Sequence, residues 1–295
     1  MNIKTSYNKF KNEYLGRGFS FFCGILIVTL TISIILFLFI KGVSTFKTGY
    51  SLKDFLFSNN WNPEGDVKSF GAGIFILGST LVSFGAVLLS SPIALALAIF
   101  INLISPKFGK KVIQPALEIF VGIPSVVYGW IGVSLLVPFI RKNLGGVGFS
   151  VLVAILVLSV MILPTIATIS SDAIKALSKD YVEASYGLGA TRWQTIYKVI
   201  IPAAKSGILT AIVLGIARAF GEALAVQMVI GNTINIAKSL ISPTTTLTSI
   251  LTMDMANTVF GSEWNNALWS LALILLIISF IFILLIRKIG SRGEV

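Results

Sequence analysis

The chain has 295 residues, 55% hydrophobic and 12% charged, with a mean hydropathy of +0.91. Soluble domains carry about 25% charged residues, so this composition belongs in lipid rather than water. The net charge of +11 would fit nucleic acid only if the cations gathered on a soluble domain, and they are instead spread over short loops, where lysine and arginine orient membrane segments. With no histidine and one cysteine, Cys23, imidazole acid–base catalysis, most zinc sites and any intrachain disulfide are excluded.

Residues 1–18 are polar and basic, with Lys4, Lys9, Lys11 and Arg17. Residues 19–40 form an unbroken apolar run. It is long enough to span a bilayer, which takes about 20 residues, and too long for a signal-peptide core of about 7–15. A loop over 41–69 holds Trp61, Pro63, Gly65 and mixed charge. The second apolar stretch, 70–104, exceeds one membrane thickness, which predicts tilt, an interfacial start or a kink near Pro92. A third span is expected over 112–140, interrupted by Pro115, Pro124 and Pro138, and a fourth over 149–171, with Pro164. Past a polar interlude at 180–202 come a fifth span, 203–231, and a sixth, 267–286.

Six spans put both termini on one side. If that side is cytoplasmic, the inside holds Lys4, Lys9, Lys11, Arg17, Lys107, Lys110, Lys111, Lys175, Lys179, Arg192, Lys198, Lys205, Arg287, Lys288 and Arg292. The outside holds Lys41, Lys47, Lys53, Lys68, Arg141, Lys142 and Lys238. The positive-inside bias predicts that orientation, with both termini and the interlude in the cytoplasm.

The interlude reads as two short helices separated by glycine. Asp180 with Glu183 forms an acidic capping box at which a helix is predicted to start. Gly187 and Gly189 end it, because glycine enters left-handed conformations at little cost. Thr191 with Gln194 forms a second box, followed by Trp193, Ile196, Tyr197 and Ile200 at helical spacing. Pro202 suits the first turn of the next helix. As chemistry alone, a short amphipathic helix at a membrane surface is unspecific. The spacing is more telling: Glu183-Ala184-Ser185, then Gly189, then Val199-x-Ile201-Pro202 resembles the E-A-A-x3-G-x9-I-x-L-P loop of ABC-importer permeases. Ser185, Val199 and Ile201 depart from the pattern as close steric substitutes. The resemblance implies an all-α integral membrane protein with six transmembrane helices, the ABC importer type I (MetI-like) permease fold. It also implies that the loop inserts into a cytoplasmic ABC ATPase dimer, with Glu183, Ala184, Gly189, Thr191, Arg192 and Pro202 as the coupling residues.

The fifth span contains Arg218 and Glu222. A charge at the bilayer centre costs roughly 2.5–3.5 kcal/mol on insertion scales, so the pair asks for a reason. Four residues apart on one helical face, they are expected to reach each other. One reading is a structural ion pair inside the bundle. The other is a translocation path, in which Arg218 offers forked donors to an oxyanion and Glu222 limits how tightly it is held. The run RAFGEALAVQMVIGN at 218–232 resembles the corresponding helix of the PstC type of phosphate-importer permease, and GIPSVVYG at 122–129 resembles both phosphate subunits. Inorganic phosphate is then the implied cargo, with a sister permease of the PstA type and an external phosphate-binding protein docking on the loops at 41–69 and 232–266. Read blandly, those loops are solvated connections. Glu118 is expected to find water or a lysine partner near Lys111, and Pro124 and Pro164 to shape helices.

No G-x4-G-K-[ST] stretch occurs, so no cofactor is expected on this chain, and ATP and Mg belong to the partner ATPase. Neither H-E-x-x-H, G-x-S-x-G nor G-x-G-D is present. Catalytic and metal-binding residues are therefore none, and an intramembrane enzyme lacks both nucleophile and base. The remaining rivals are a permease for another oxyanion, such as sulfate or molybdate, and a non-transporting scaffold. The expected organisation is a cytoplasmic N-terminus, first helix and external loop over 1–69, a permease domain over 70–288 with its coupling loop at 180–202, and a cytoplasmic tail over 289–295. The setting is the bacterial plasma (inner) membrane, with lipid around the chain and no nucleic acid.

Overall fold

A computed structural model describes residues 16–47 and 49–290; Lys4, Lys9, Lys11 and Arg292, used in the orientation argument, lie outside them. Lipid offers backbone amides no partners, so the apolar runs close their hydrogen bonds internally as helices. The main helices, in chain order and with the shortest turns left unlabelled, are α1 (Gly16–Gly42), α2 (Gly73–Ile99), α3 (Gln114–Gly122), α4 (Ser125–Ile131), α5 (Val137–Asn143) and α6 (Val151–Lys175). They continue as α7 (Lys179–Gly187), α8 (Arg192–Thr195), α9 (Lys205–Gly221), α10 (Leu224–Ile230), α11 (Leu247–Asp254) and α12 (Glu263–Gly290). Among the described residues, five stretches are long and apolar enough to cross a bilayer, and a sixth if the bent pair Arg192–Ala203 and Lys205–Gly221 counts as one span.

Packing grades from centre to rim. α2 and α6 share the most extensive interface, with α9 laid across both, α12 against α9, and α1 on α12. Val82, Ala86, Leu158, Ile162, Ile166 and Ala211 meet in this central core. None of the apolar window of α1 is buried. α1 is held at one end, where Ser270 Oγ donates to the Gly42 carbonyl at 2.7 Å and Phe37 meets Trp269 edge-on.

Prolines set the breaks. Among the described residues four turns are π-helical: Phe100–Ile104, Gly109–Ile113, Gly132–Leu136 and Ile196–Ile200. Each ends two residues before a proline (Pro106, Pro115, Pro138, Pro202), and the amide preceding that proline reaches back five residues, as from Val137 to the Gly132 carbonyl. A proline ring clashes with the carbonyl four residues back and offers that carbonyl no donor; the wider turn moves it aside. The third span, expected over 112–140, is accordingly split at Ile123–Pro124, and its crossing part is Ser125–Asn143. Tyr128 Oη bridges that split by donating to the Phe120 carbonyl at 2.8 Å. Glu118 accepts from Gln114 Nε2 at 3.4 Å and not from a lysine.

The loops at 41–69 and 232–266 are not mere solvated connections. Residues 61–70 form a small antiparallel hairpin, β1 (Trp61–Asn62) against β2 (Ser69–Phe70), with Trp61 opposite Phe70. Edge-on rings link Phe46, Tyr50, Phe55, Trp61, Phe70 and Phe75. They close a second core with Leu247, Leu268 and Leu271 from α11 and α12. This end of the bundle is the one remote from 180–202.

Candidate functional site

The interlude folds as a two-part elbow. The N-cap of its first helix lies two residues earlier than the acidic box predicts: it is Ser178, whose hydroxyl accepts from the Asp180 amide at 3.2 Å and donates to the Asp180 carboxylate at 2.8 Å. Asp180 therefore sits in the first turn, where a carboxylate suits the helix dipole. α7 ends in a Schellman arrangement, with Gly189 Cα at φ +78°. Ala190 N–H donates to the Ser185 carbonyl at 3.1 Å and Gly189 N–H to that of Tyr186 at 2.9 Å. Gly189 supplies the left-handed residue, while Gly187 is still helical. The second capping box is borne out: Thr191 N–H donates to Gln194 Oε1 at 2.8 Å and Gln194 N–H to Thr191 Oγ1 at 3.3 Å.

A buried hydroxyl pair, Ser185 Oγ and Thr195 Oγ1 at 2.9 Å, joins the two halves of the elbow. Ile196 and Ile200 dock inward on Ala98, Ile99, Ile174 and Ile208. Trp193 and Tyr197, expected on the same apolar stripe, point away and are exposed. Leu188, in the glycine turn, is 90% exposed. A groove of about 570 Å³ opens beside it, lined by Tyr181, Ala184, Leu188 and Val199. Glu183, Ala184, Gly189 and Thr191 all lie on the exposed side. Arg192 Nη2 turns to the chain's own Leu103 and Ile104 carbonyls, at 2.9 Å from the latter. Pro202 lies in the first turn of the next helix as expected, but that helix is the short Ile201–Ala203, which ends at the 69° bend before α9.

The second predicted site is reorganised more deeply. A continuous span over 203–231 would put Arg218 and Glu222 on one face, but α9 stops at Gly221, and Glu222 is extended, with φ −74° and ψ 127°. The expected Arg218–Glu222 pair does not form; among the described residues the ion pair within 4 Å is Lys68–Glu263, at 2.7 Å. Arg218 Nη1 instead donates to Thr165 Oγ1, beside Pro164 of α6. The Glu222 carboxylate accepts from the Ala225 amide at 3.1 Å, capping α10, and its freed carbonyl accepts from Thr248 Oγ1 at 2.7 Å. The break thus separates a half-buried guanidinium from a half-buried carboxylate and supports each on a different neighbour. Ser178, Leu188, Thr165 and Thr248 were not singled out from the sequence. Only Ser178 carried a local signal, a hydroxyl directly ahead of an acidic first turn.

An exposed elbow below a bundle of broken apolar spans is the build of a membrane permease driven from outside itself. The chain belongs to the family described as binding-protein-dependent transport system inner membrane component, which matches residues 90–293. It is therefore an ABC-importer permease subunit and not itself an enzyme. Within that class it is 50% identical over 295 residues to the probable ABC transporter permease protein YqgH of Bacillus subtilis (strain 168), covering 99% of this chain and 96% of that one. It is 32% identical over 303 residues to the phosphate transport system permease protein PstC of Pasteurella multocida (strain Pm70), covering 96% and 92%. Among solved structures, a chain of a bacterial alginate ABC transporter superposes with a TM-score of 0.65 at 15% identity, over 96% of this chain and 98% of that one. The inward-facing MetNI methionine ABC transporter gives 0.54 at 19% identity, over 74% and 92%. At such identities these two speak for the fold, which is the MetI-like permease fold.

Proposed function

We propose that this chain is the permease subunit, of PstC type, of an ATP-driven importer that carries inorganic phosphate across the bacterial plasma membrane. The observation that carries the reading is the break at Gly221–Glu222. It holds Arg218 half-buried beside a hydroxyl and away from any carboxylate partner, leaving its forked donors to a tetrahedral oxyanion. Glu222, a few residues away across the break, keeps the site from becoming a trap, since a transport site must release what it binds. The likeness to PstC proteins over nearly the whole chain supports phosphate as the cargo.

The permease domain is taken as 70–288. The excess of lysine and arginine on the elbow end supports placing that end, and both termini, in the cytoplasm. There the loop at 180–202 meets a dimeric ATPase, which holds the ATP and Mg, through Glu183, Ala184, Gly189 and the exposed Leu188. A sister permease of PstA type completes the pathway, and an external phosphate-binding protein docks on the far end, at 41–69 and 232–266. ATP-driven closure of the ATPases moves the elbows and rocks the bundle between its two openings.

The test is uptake of radiolabelled phosphate by the complete complex in liposomes. Arg218→Gln should lower uptake at least about tenfold, as expected when a charged partner of a buried anion is lost, at unchanged complex abundance. Undiminished uptake in that variant, or uptake of sulfate or molybdate in place of phosphate by the unaltered complex, would overturn the reading.

A further inference from the structure

Arg192 has a role that its exposed position on the elbow conceals. Its Nη2 donates to the carbonyls of Leu103 and Ile104, some ninety residues earlier in the chain. Those carbonyls belong to the π-turn Phe100–Ile104 that ends the second span. Carbonyls at a helix C-terminus lack amide partners, and a cation there also answers the helix dipole. Charge-assisted bonds of this kind are about twice as strong as neutral ones.

The same turn is tied on its other side. Asn102 Nδ2 donates to the Ser171 carbonyl at 3.2 Å and to Ser171 Oγ at 2.7 Å, both on α6, and to the Ala98 carbonyl at 3.0 Å. The next π-turn, Gly109–Ile113, packs directly against it, for a Cβ on Gly109 would lie 2.6 Å from the Ile101 Cα. Beneath the polar ties runs one apolar seam: Ala98 and Ile99 of α2, Ile174 of α6, Ile196 and Ile200 of the elbow, Ile208 of α9. Apolar contact is non-directional and lets surfaces slide. Directional hydrogen bonds from a planar guanidinium nitrogen to two successive carbonyls fix a register.

We infer that Arg192 is a positioning residue: it locks the elbow to the end of the second span, so that a displacement of the elbow is delivered to α2 and, through Asn102, to α6. Its Nη2 hydrogens are committed inside the chain. The inference rests on the reading of 180–202 as the ATPase-coupled loop.

The test uses the complete complex with Arg192→Gln and Arg192→Lys. Spin labels are placed at Lys107→Cys and Lys198→Cys in a Cys23→Ser background, and their separation is measured with and without a non-hydrolysable ATP analogue. With Arg192 present, the separation should stay the same on nucleotide binding, because elbow and span end move together. In Arg192→Gln it should shift or broaden on nucleotide binding. That variant should also keep its ATPase and hydrolyse ATP while phosphate uptake falls at least about tenfold, and Arg192→Lys, which keeps a charged donor, should recover part of the uptake. Loss of the ATPase from Arg192→Gln, full uptake by it, or label separation in the unaltered chain on nucleotide binding would each overturn the proposal. Should Arg192→Gln fail to accumulate, the unaltered label pair and Arg192→Lys decide the matter. A wild-type complex without phosphate uptake would sink the substrate reading alone, since the label distances still report on Arg192; a wild-type chain that retains no ATPase would sink the coupling reading.

Discussion

The two ends of the bundle solve the same problem in opposite ways. Both carry irregular chain rich in large apolar side chains. The far end folds its rings onto one another, and Phe55 and Phe75 are wholly buried there. The elbow end leaves Leu188, Trp193, Tyr197 and Tyr181 in the open and relies on hydrogen bonds, two caps and a thin isoleucine seam for its shape. Both ends also show apolar side chains to the outside, Phe57 and Phe260 at the far end and Leu188 and Trp193 at the elbow; what differs is that the far end is held by a ring core and the elbow by caps and a seam.

The comparison breaks most sharply by truncation. Phe55→Ala should cost about 3–5 kcal/mol, the range for a buried phenylalanine, seen as a large fall in the melting temperature of the detergent-purified chain. Leu188→Ala should change stability by no more than about 0.5 kcal/mol and should instead weaken retention of the ATPase. Equal destabilisation by the two would erase the distinction between the ends. A smaller effect is expected at the hinge of the elbow. Ser185→Ala removes one of two buried hydroxyls, and Thr195 keeps its bond to the Thr191 carbonyl at 3.2 Å, so the cost should be about 1 kcal/mol. Amide exchange should quicken over 185–200 and stay unchanged over 55–75; equal quickening at both ends would show that they are not independent.

The smallest effect belongs to the far end. Burial raises the pKa of Asp254, and the neighbouring charge of Glu64 adds to the rise. The folded chain therefore binds that proton more tightly than the unfolded one. Ionised Asp254 weighs against the fold above its raised pKa, and the penalty fades as pH falls through that value towards the unfolded one. Asp254→Asn should raise the melting temperature slightly at neutral pH, with the gain shrinking on acidification. A gain independent of pH would mean that the carboxylate's charge is not the cause.

Sequence patterns reached the spans and the second capping box because each obeys a rule contained within a few neighbouring residues. They stopped where a distant group decides. The pairing of Arg218 with Glu222 presumes an unbroken helix, and the break is held by Thr248, 26 residues further on. The box at Asp180 lost to Ser178, whose hydroxyl reaches the same turn first. The stripe through Trp193 and Tyr197 has helical spacing, but periodicity cannot tell a side chain bound for the chain's own core from one kept for a surface. The far-end core escaped notice because its rings, within 46–75, follow no fixed period and close only against side chains from 247–255 and 264–278.

The four π-turns before prolines have a consequence for how the bundle tolerates change. Each holds one residue more than an α-turn, and removing it would rotate everything downstream by about 100°. The adjoining proline bars a spontaneous return to α geometry, so the angular setting of each segment is written into the covalent chain. Single-residue deletions within these turns should re-aim whole helical faces, while substitutions that keep the count should leave those faces where they are.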